Sequence, residues 1–153
     1  MGEEMSEIKS REFLYKNHIK WESEKKGALS SKDKQSFQVA TPPEFRGHPG
    51  IWNPEELFIA AVNSCVMTTF LSFAEKQSLD FSSYESEVEG VLKFSENKLM
   101  FTDVIVKPLI IVADKSEIGK AKDIIGMVEK HCLISNSIKS RVEIIPEVEV
   151  MAK

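Results

Sequence analysis

Residues 53–80 read NPEELFIAAVNSCVMTTFLSFAEKQSLD, and the fold turns on how this stretch is read. Asn53 is a favoured N-cap, Pro54 sits at the first helical position, where a missing N–H costs nothing, and Glu56 stands where its carboxylate can reach back to the cap. These signals predict a helix from residue 54. Residues 57–74 carry no charged side chain, so the helix has no water-facing stripe and is expected to be covered nearly all round. An uncharged run of ~18 residues approaches the length that crosses a bilayer. Asn63, Ser64, Thr68, Thr69 and Ser72 interrupt it, however, and no second such run exists. The reading is therefore a buried central helix of a soluble protein, with no membrane partner. About 24 helical residues at ~1.5 Å each reach ~36 Å, comparable to the width of a domain of this size. Near the middle stands Cys65.

The composition sets the frame around this helix. The chain has 153 residues, 42% hydrophobic and 29% charged, enough for a substantial core, and one domain is expected over residues 11–153 after a frayed acidic tail over 1–10. Net charge is −4, and Lys25 and Lys26 form only a doublet, so no concentrated basic face speaks for nucleic acid. The two cysteines, Cys65 and Cys132, form no CxxC, and the chain opens without an apolar signal segment, which points to a reducing, cytoplasmic setting. His18, His48 and His131 have no metal-ligand spacing, so neither a metal nor a cofactor is expected.

Outward from the helix, residues 11–22 alternate as a two-faced strand, residues 25–27 turn the chain, and a second strand is expected near 36–40. TPPEFRGHPGIW at 41–52 is too rich in proline and glycine for regular structure and reads as a shaped loop. After the helix, residues 82–94 and 99–113 predict a pair of strands, with Pro108 suggesting an edge or a bulge. Asp114 and Glu117 have capping-box spacing ahead of a second helix whose inward positions are Ile118, Ala121, Ile125, Val128 and Cys132. Val142, Ile144, Val148 and Val150 alternate with glutamates as one closing strand. Antiparallel strand pairs with helices between them indicate an α+β fold.

Both cysteines thus fall on inward faces, where they can meet. Reactivity needs a thiolate, and a thiolate needs a positive neighbour or a helix N-terminus. Cys65 lies about three turns into its helix, too far for the dipole, so a cation from elsewhere is expected. Of the three arginines, Arg11, Arg46 and Arg141, Arg46 lies in the loop before the helix, and Lys25 in the hairpin turn is the other candidate. Asn63, Ser64, Thr68 and Thr69 suggest a polar environment around the thiol.

PPEF at 42–45, Gly47 and Gly50, WNPEELFIAAVNSC at 52–65 and HCLISNSIK at 131–139 together resemble the OsmC/Ohr family of thiol peroxidases over most of the chain. The resemblance implies antiparallel sheets around a long buried helix, an interlocked homodimer with active sites at its interface, and reduction of organic hydroperoxides without a cofactor. It implies that Cys65 is the peroxidatic residue, that Cys132 resolves the product as a disulfide, and that a dithiol or a lipoylated protein then reduces it. Glu55 matches the family's active-site glutamate. The hydroperoxide-resistance branch carries an arginine where this chain has Lys25, which keeps the charge but not the planar fork. Phe58, Met67, Phe70 and Phe73 are candidate walls of an apolar substrate pocket, with Arg46 beside them in the substrate-binding set. A second class of function stays open: a binding or redox-sensing protein that uses the same pocket without turnover.

Overall fold

The computed structural model describes residues 8–152, and the chain divides between Pro54 and Glu55 into two compact units. Most of the tail expected over residues 1–10 lies outside the described residues, and residues 8–10 form a helical turn.

The first unit is a three-stranded antiparallel sheet, β1 (His18–Ser23), β2 (Lys26–Ser30) and β3 (Phe37–Ala40) in that order. β1 is shorter than its alternating pattern because β2 offers only five residues to pair with, so residues 11–17 have no ladder partner. The hairpin turn falls at Glu24 and Lys25, and Gly27 belongs to β2 rather than to the turn. A Cβ there would stand 2.9 Å from the Lys20 carbonyl oxygen, which explains the glycine. The loop after β3 is shaped by a single 3-10 turn, Pro43–Phe45, and closes where Gly47 and His48 donate to the carbonyls of Pro42 and Thr41 at 3.0 and 2.9 Å. Gly47 packs so tightly on the Thr41 carbonyl that no other residue fits.

The expected long helix, α1 (Pro54–Lys76), starts at the last residue of the first unit, and from Glu55 onward it belongs to the second. Its covering is one-sided. Val62, Val66, Phe70 and Ala74 are buried at four-residue steps, whereas Ser64, Met67, Thr68, Leu71 and Ser72 are exposed in the single chain. By length and composition α1 could cross a membrane, yet its buried stripe belongs to the core that the sheet and the second helix complete.

β4 (Phe81–Ser95) and β5 (Lys98–Val112) form a long antiparallel hairpin. Glu96 and Asn97 both take positive φ, 51° and 62°, as a two-residue turn of primed type requires. A 3-10 turn, Lys115–Glu117, then leads into α2 (Ile118–His131), and Asp114 caps it by accepting from the Ser116 N–H at 2.8 Å. Glu117 does not complete a capping box. Its carboxylate instead accepts from the Asp80 N–H at 3.2 Å.

The expected closing strand is two strands, β6 (Arg141–Ile144) and β7 (Glu147–Val150), separated at Ile145 and Pro146. Both run parallel to β5, because α2 carries the chain back across the sheet and so closes a βαβ unit. β5 is therefore central, and Pro108 is not on an edge. It lies where β6 has ended at Val106 and β7 begins only at Leu109, a gap in the ladder where a residue without an N–H is tolerated.

Candidate functional site

Cys65 lies on the flank of α1, between its buried stripe and its exposed face, and is half-buried, whereas Cys132 is fully buried. α2 stops at Cys132, whose backbone leaves the helix at ψ 112° while its N–H still bonds the Val128 carbonyl at 3.0 Å. The chain then turns tightly: the Asn136 N–H reaches back to the Cys132 carbonyl at 3.0 Å, and the Ser137 hydroxyl to the Leu133 carbonyl at 2.7 Å. This turn brings the main-chain N–H groups of Leu133 and Ile134, together with the Cys132 thiol, to the sulfur of Cys65.

The electrostatic outcome separates the two thiols. Burial pushes the Cys65 pKa up, but the Ile134 N–H, the Cys132 thiol, the Thr69 hydroxyl and the Leu133 N–H outweigh it and hold Cys65 below its ordinary value. Burial pushes Cys132 up, and the neighbouring Cys65 adds to that rise against the opposing help of Ser135. The Ser135 hydroxyl is buried and stands close enough to favour charge on Cys132 without meeting hydrogen-bond geometry. One sulfur is thus disposed to ionise and its neighbour to stay protonated, the division of labour a nucleophile and a resolving thiol need.

Within this unit the groups that hold Cys65 below its ordinary value are two main-chain N–H groups, the Cys132 thiol and one hydroxyl, and the expected cations Lys25 and Arg46 belong to the first unit. A main-chain N–H leaves no trace in residue identity, which is why the sequence did not disclose it. The expected polar surround also reduces to one group. Thr69 Oγ1 stands 3.9 Å from the Cys65 sulfur. Ser64 and Thr68 fold back onto carbonyls of their own helix, at 2.7 Å to Ala60 and 3.2 Å to Cys65, and Asn63 accepts from the half-buried Ser86 hydroxyl at 2.6 Å.

The remaining expected residues are dispersed. Glu55 lies in the first turn of α1, about 15 Å of helical rise from Cys65, and its Oε2 is buried with no hydrogen-bond partner. Lys25 and Arg46 belong to the first unit, where the Lys25 ammonium holds main-chain carbonyls of the 3-10 turn and the Arg46 side chain is exposed. Phe58, two turns before Cys65 on the same side of α1, stacks on Phe101 at 5.0 Å between ring centroids. Met67, two positions from Cys65, points away from it. Phe70 is fully buried, packed on Phe81 and Tyr84 at 5.5 and 5.0 Å between ring centroids. Phe73 meets the His131 ring at 5.5 Å. Among the described residues, no group of three or more His, Cys, Asp or Glu side chains is placed to hold a metal.

The geometry has counterparts among known proteins. The first unit also contains an apolar cavity of about 330 Å³ lined by Ile19, Trp21, Lys25, Val39 and Pro54 among others. An uncharacterized Bacillus subtilis protein, YmaD, is 24% identical over 115 residues, covering 73% of this chain and 77% of its own. An OsmC-like protein of unknown function from Vibrio cholerae superposes with a TM-score of 0.79 at 21% identity, covering 88% of this chain and all of its own. An organic hydroperoxide resistance protein OsmC from Legionella pneumophila superposes with a TM-score of 0.69 at 23% identity, covering 91% of this chain and 100% of its own. A further organic hydroperoxide resistance protein, from Elizabethkingia anophelis, does so at 0.69 and 20% identity, covering 92% and 100%. At these identities the superpositions speak for the fold. The family profile described as OsmC-like protein matches residues 47–147, about two thirds of the sequence including both cysteines, and the chain therefore belongs to the OsmC-like family.

Proposed function

We propose that this protein is a thiol-dependent peroxidase that reduces organic hydroperoxides. The observation that carries the reading is the pairing of Cys65, held below its ordinary pKa, with Cys132, held above it, at the end of one helix. The Cys65 thiolate attacks the distal oxygen of ROOH, the O–O bond breaks, ROH leaves after protonation, and Cys65 becomes a sulfenic acid. The Cys132 thiol then displaces water from that sulfenic acid to form the Cys65–Cys132 disulfide, and a dithiol or lipoylated protein takes the oxidation away by exchange. The names of the Legionella and Elizabethkingia proteins agree with this substrate class. Lys25 and Glu55 enter the proposal as the positions that match the family's charged active-site pair, and Phe58 as an apolar wall on the Cys65 side.

The proposal includes an interlocked homodimer in the cytoplasm. Ala61, Ser64 and Thr68 form a stripe of small side chains at three- and four-residue steps on the less covered side of α1, continued by the exposed Leu71, which suits the approach of a second helix, while Ile19 and Trp21 are 60% and 72% exposed. Sedimentation at micromolar concentration is expected to give a dimer, and a stable monomer would contradict that part. The apolar cavity of the first unit favours a second reading, a ligand-binding or redox-sensing protein without turnover. Steady consumption of a panel of hydroperoxides in the presence of a dithiol decides: turnover supports the peroxidase, and a single stoichiometric oxidation without turnover supports the sensor.

A further inference from the structure

The side chains of the turn that follows Cys132 find partners with one exception. The Asn136 N–H donates to the Cys132 carbonyl at 3.0 Å, and the Asn136 amide group donates to the Lys130 carbonyl at 3.2 Å. The Ser137 N–H donates to the Ile134 carbonyl at 3.0 Å and the Ser137 hydroxyl to the Leu133 carbonyl at 2.7 Å. The Ser135 hydroxyl is buried among them and has no hydrogen-bond partner in the protein. Such a hydroxyl costs stability that an alanine in the same place would not. Its neighbour is the sulfur of Cys132, three residues back in the turn and itself fully buried. In the reduced pair the Cys132 thiol turns its proton to Cys65, so the Cys132 sulfur carries no charge for the hydroxyl to meet.

We propose that Ser135 is a positioning residue for the resolving thiol: its hydroxyl donates to the Cys132 sulfur whenever that sulfur gains negative charge. The role deepens the disulfide chemistry given above and rests on it. Oxidation of Cys65 to the sulfenic acid removes the neighbouring thiolate that opposes ionisation of Cys132. The Cys132 proton then passes to the sulfenic hydroxyl, the Cys132 sulfur attacks Cys65 while Ser135 donates to it, and water leaves. The return step needs the same contact. Cys65 is half-buried and Cys132 fully buried, so an incoming dithiol meets the disulfide at Cys65. Its thiolate attacks the Cys65 sulfur, the S–S bond breaks, and Cys132 departs as a thiolate. The less acidic thiol is the poorer leaving group, and the Ser135 hydroxyl offsets that handicap. The second thiol of the reductant passes its proton to Cys132 and attacks the mixed disulfide, which releases a cyclic disulfide and the Cys65 thiolate.

The test uses the full-length protein and dithiobisnitrobenzoate, so that it needs no hydroperoxide. Cys65 takes up one thionitrobenzoate and releases the other, and attack by Cys132 on Cys65 then releases the second, so one absorbance trace reads both sulfurs. Ser135→Ala is expected to leave the first phase unchanged and to slow the second about tenfold at neutral pH, the scale of one hydrogen bond to a charged group. The midpoint of the second phase's pH profile is expected to move upward. Ser135→Thr, which keeps the hydroxyl, is expected to restore the second phase, and Ser137→Ala, which disturbs the same turn, to leave its midpoint in place. Reduction of the diamide-oxidised protein by dithiothreitol is also expected to slow about tenfold in Ser135→Ala. An unshifted midpoint in Ser135→Ala, an equal shift in Ser137→Ala, or two equally fast phases, the mark of an unfolded chain, would each overturn the proposal. A wild type that lacks the second phase would overturn the Cys65–Cys132 pairing and the proposal with it. Absence of hydroperoxide turnover with the expected phases intact would instead overturn only the peroxidase reading.

Discussion

The ammonium of Lys25 donates to the main-chain carbonyl of Arg46 over 3.0 Å, with the Phe45 carbonyl at 3.5 Å. The two cations that the sequence offers for one role are therefore linked, because the charge of the first fixes the backbone from which the second departs. Arg46 itself stands at φ 61°, in the left-handed region. Lys25→Ala is expected to loosen the 3-10 turn, seen as several-fold faster hydrogen exchange at the Gly47 and His48 amides, and Lys25→Arg to restore the slow exchange. Unchanged exchange in Lys25→Ala would mean that the ammonium anchors nothing.

The support of Cys65 by two amides, the Cys132 thiol and a hydroxyl has a consequence in pH. Its alkylation rate is expected to rise with a midpoint below that of an ordinary free thiol measured alongside it, and Thr69→Val to move that midpoint upward. Stability follows the same sign. With a folded pKa below the unfolded one, the unfolded chain binds more protons in the interval between them. The contribution is complete above the unfolded pKa and is lost as pH falls through the folded one. The urea stability of the wild type relative to Cys65→Ser is therefore expected to grow from neutral pH toward pH ~9. A flat difference would contradict the assignment.

Gly90 permits α1 to lie against β4. A Cβ at this position would stand 2.6 Å from Ile59 Cγ2 and 2.9 Å from Phe101 Cε1. Gly90→Ala is expected to lower stability by about 1–3 kcal/mol, the usual range for overpacking. Trimming the helix side with Ile59→Ala is expected to recover part of that loss in the double variant, and a purely additive double-variant cycle would deny the contact.

Two residues that read alike in the sequence are expected to behave differently. Phe70→Ala empties a fully buried site between Phe81 and Tyr84 and is expected to cost about 3–5 kcal/mol in chemical denaturation. Met67 is 36% exposed, and Met67→Ala is expected to leave chemical denaturation nearly unchanged.

The helices were legible because their signals are local: a capped proline start for α1, and apolar positions at three- and four-residue steps for α2. β2 was hidden because KGALS has no alternation and its glycine resembles a turn. The split of the closing strand was hidden because Val142 to Val150 keeps its alternation across Pro146, and only the register shows that the ladder skips a place opposite Pro108. At the site, residue type revealed both sulfurs but not what acts on Cys65. Hydroxyls that bond their own helix look the same in a sequence as a hydroxyl that faces a thiol, and the N–H groups of Leu133 and Ile134 are common to almost every residue.

The central claim is that Cys65 and Cys132 act as one redox pair within a single chain. Its most direct measurement is non-reducing peptide mapping after one equivalent of an organic hydroperoxide. A disulfide-linked peptide pair carrying Cys65 and Cys132 from the same chain is expected, formed in wild type and absent in Cys132→Ser, where Cys65 proceeds to sulfinic acid. Separate over-oxidised cysteines in the wild type, or links only between chains, would contradict it.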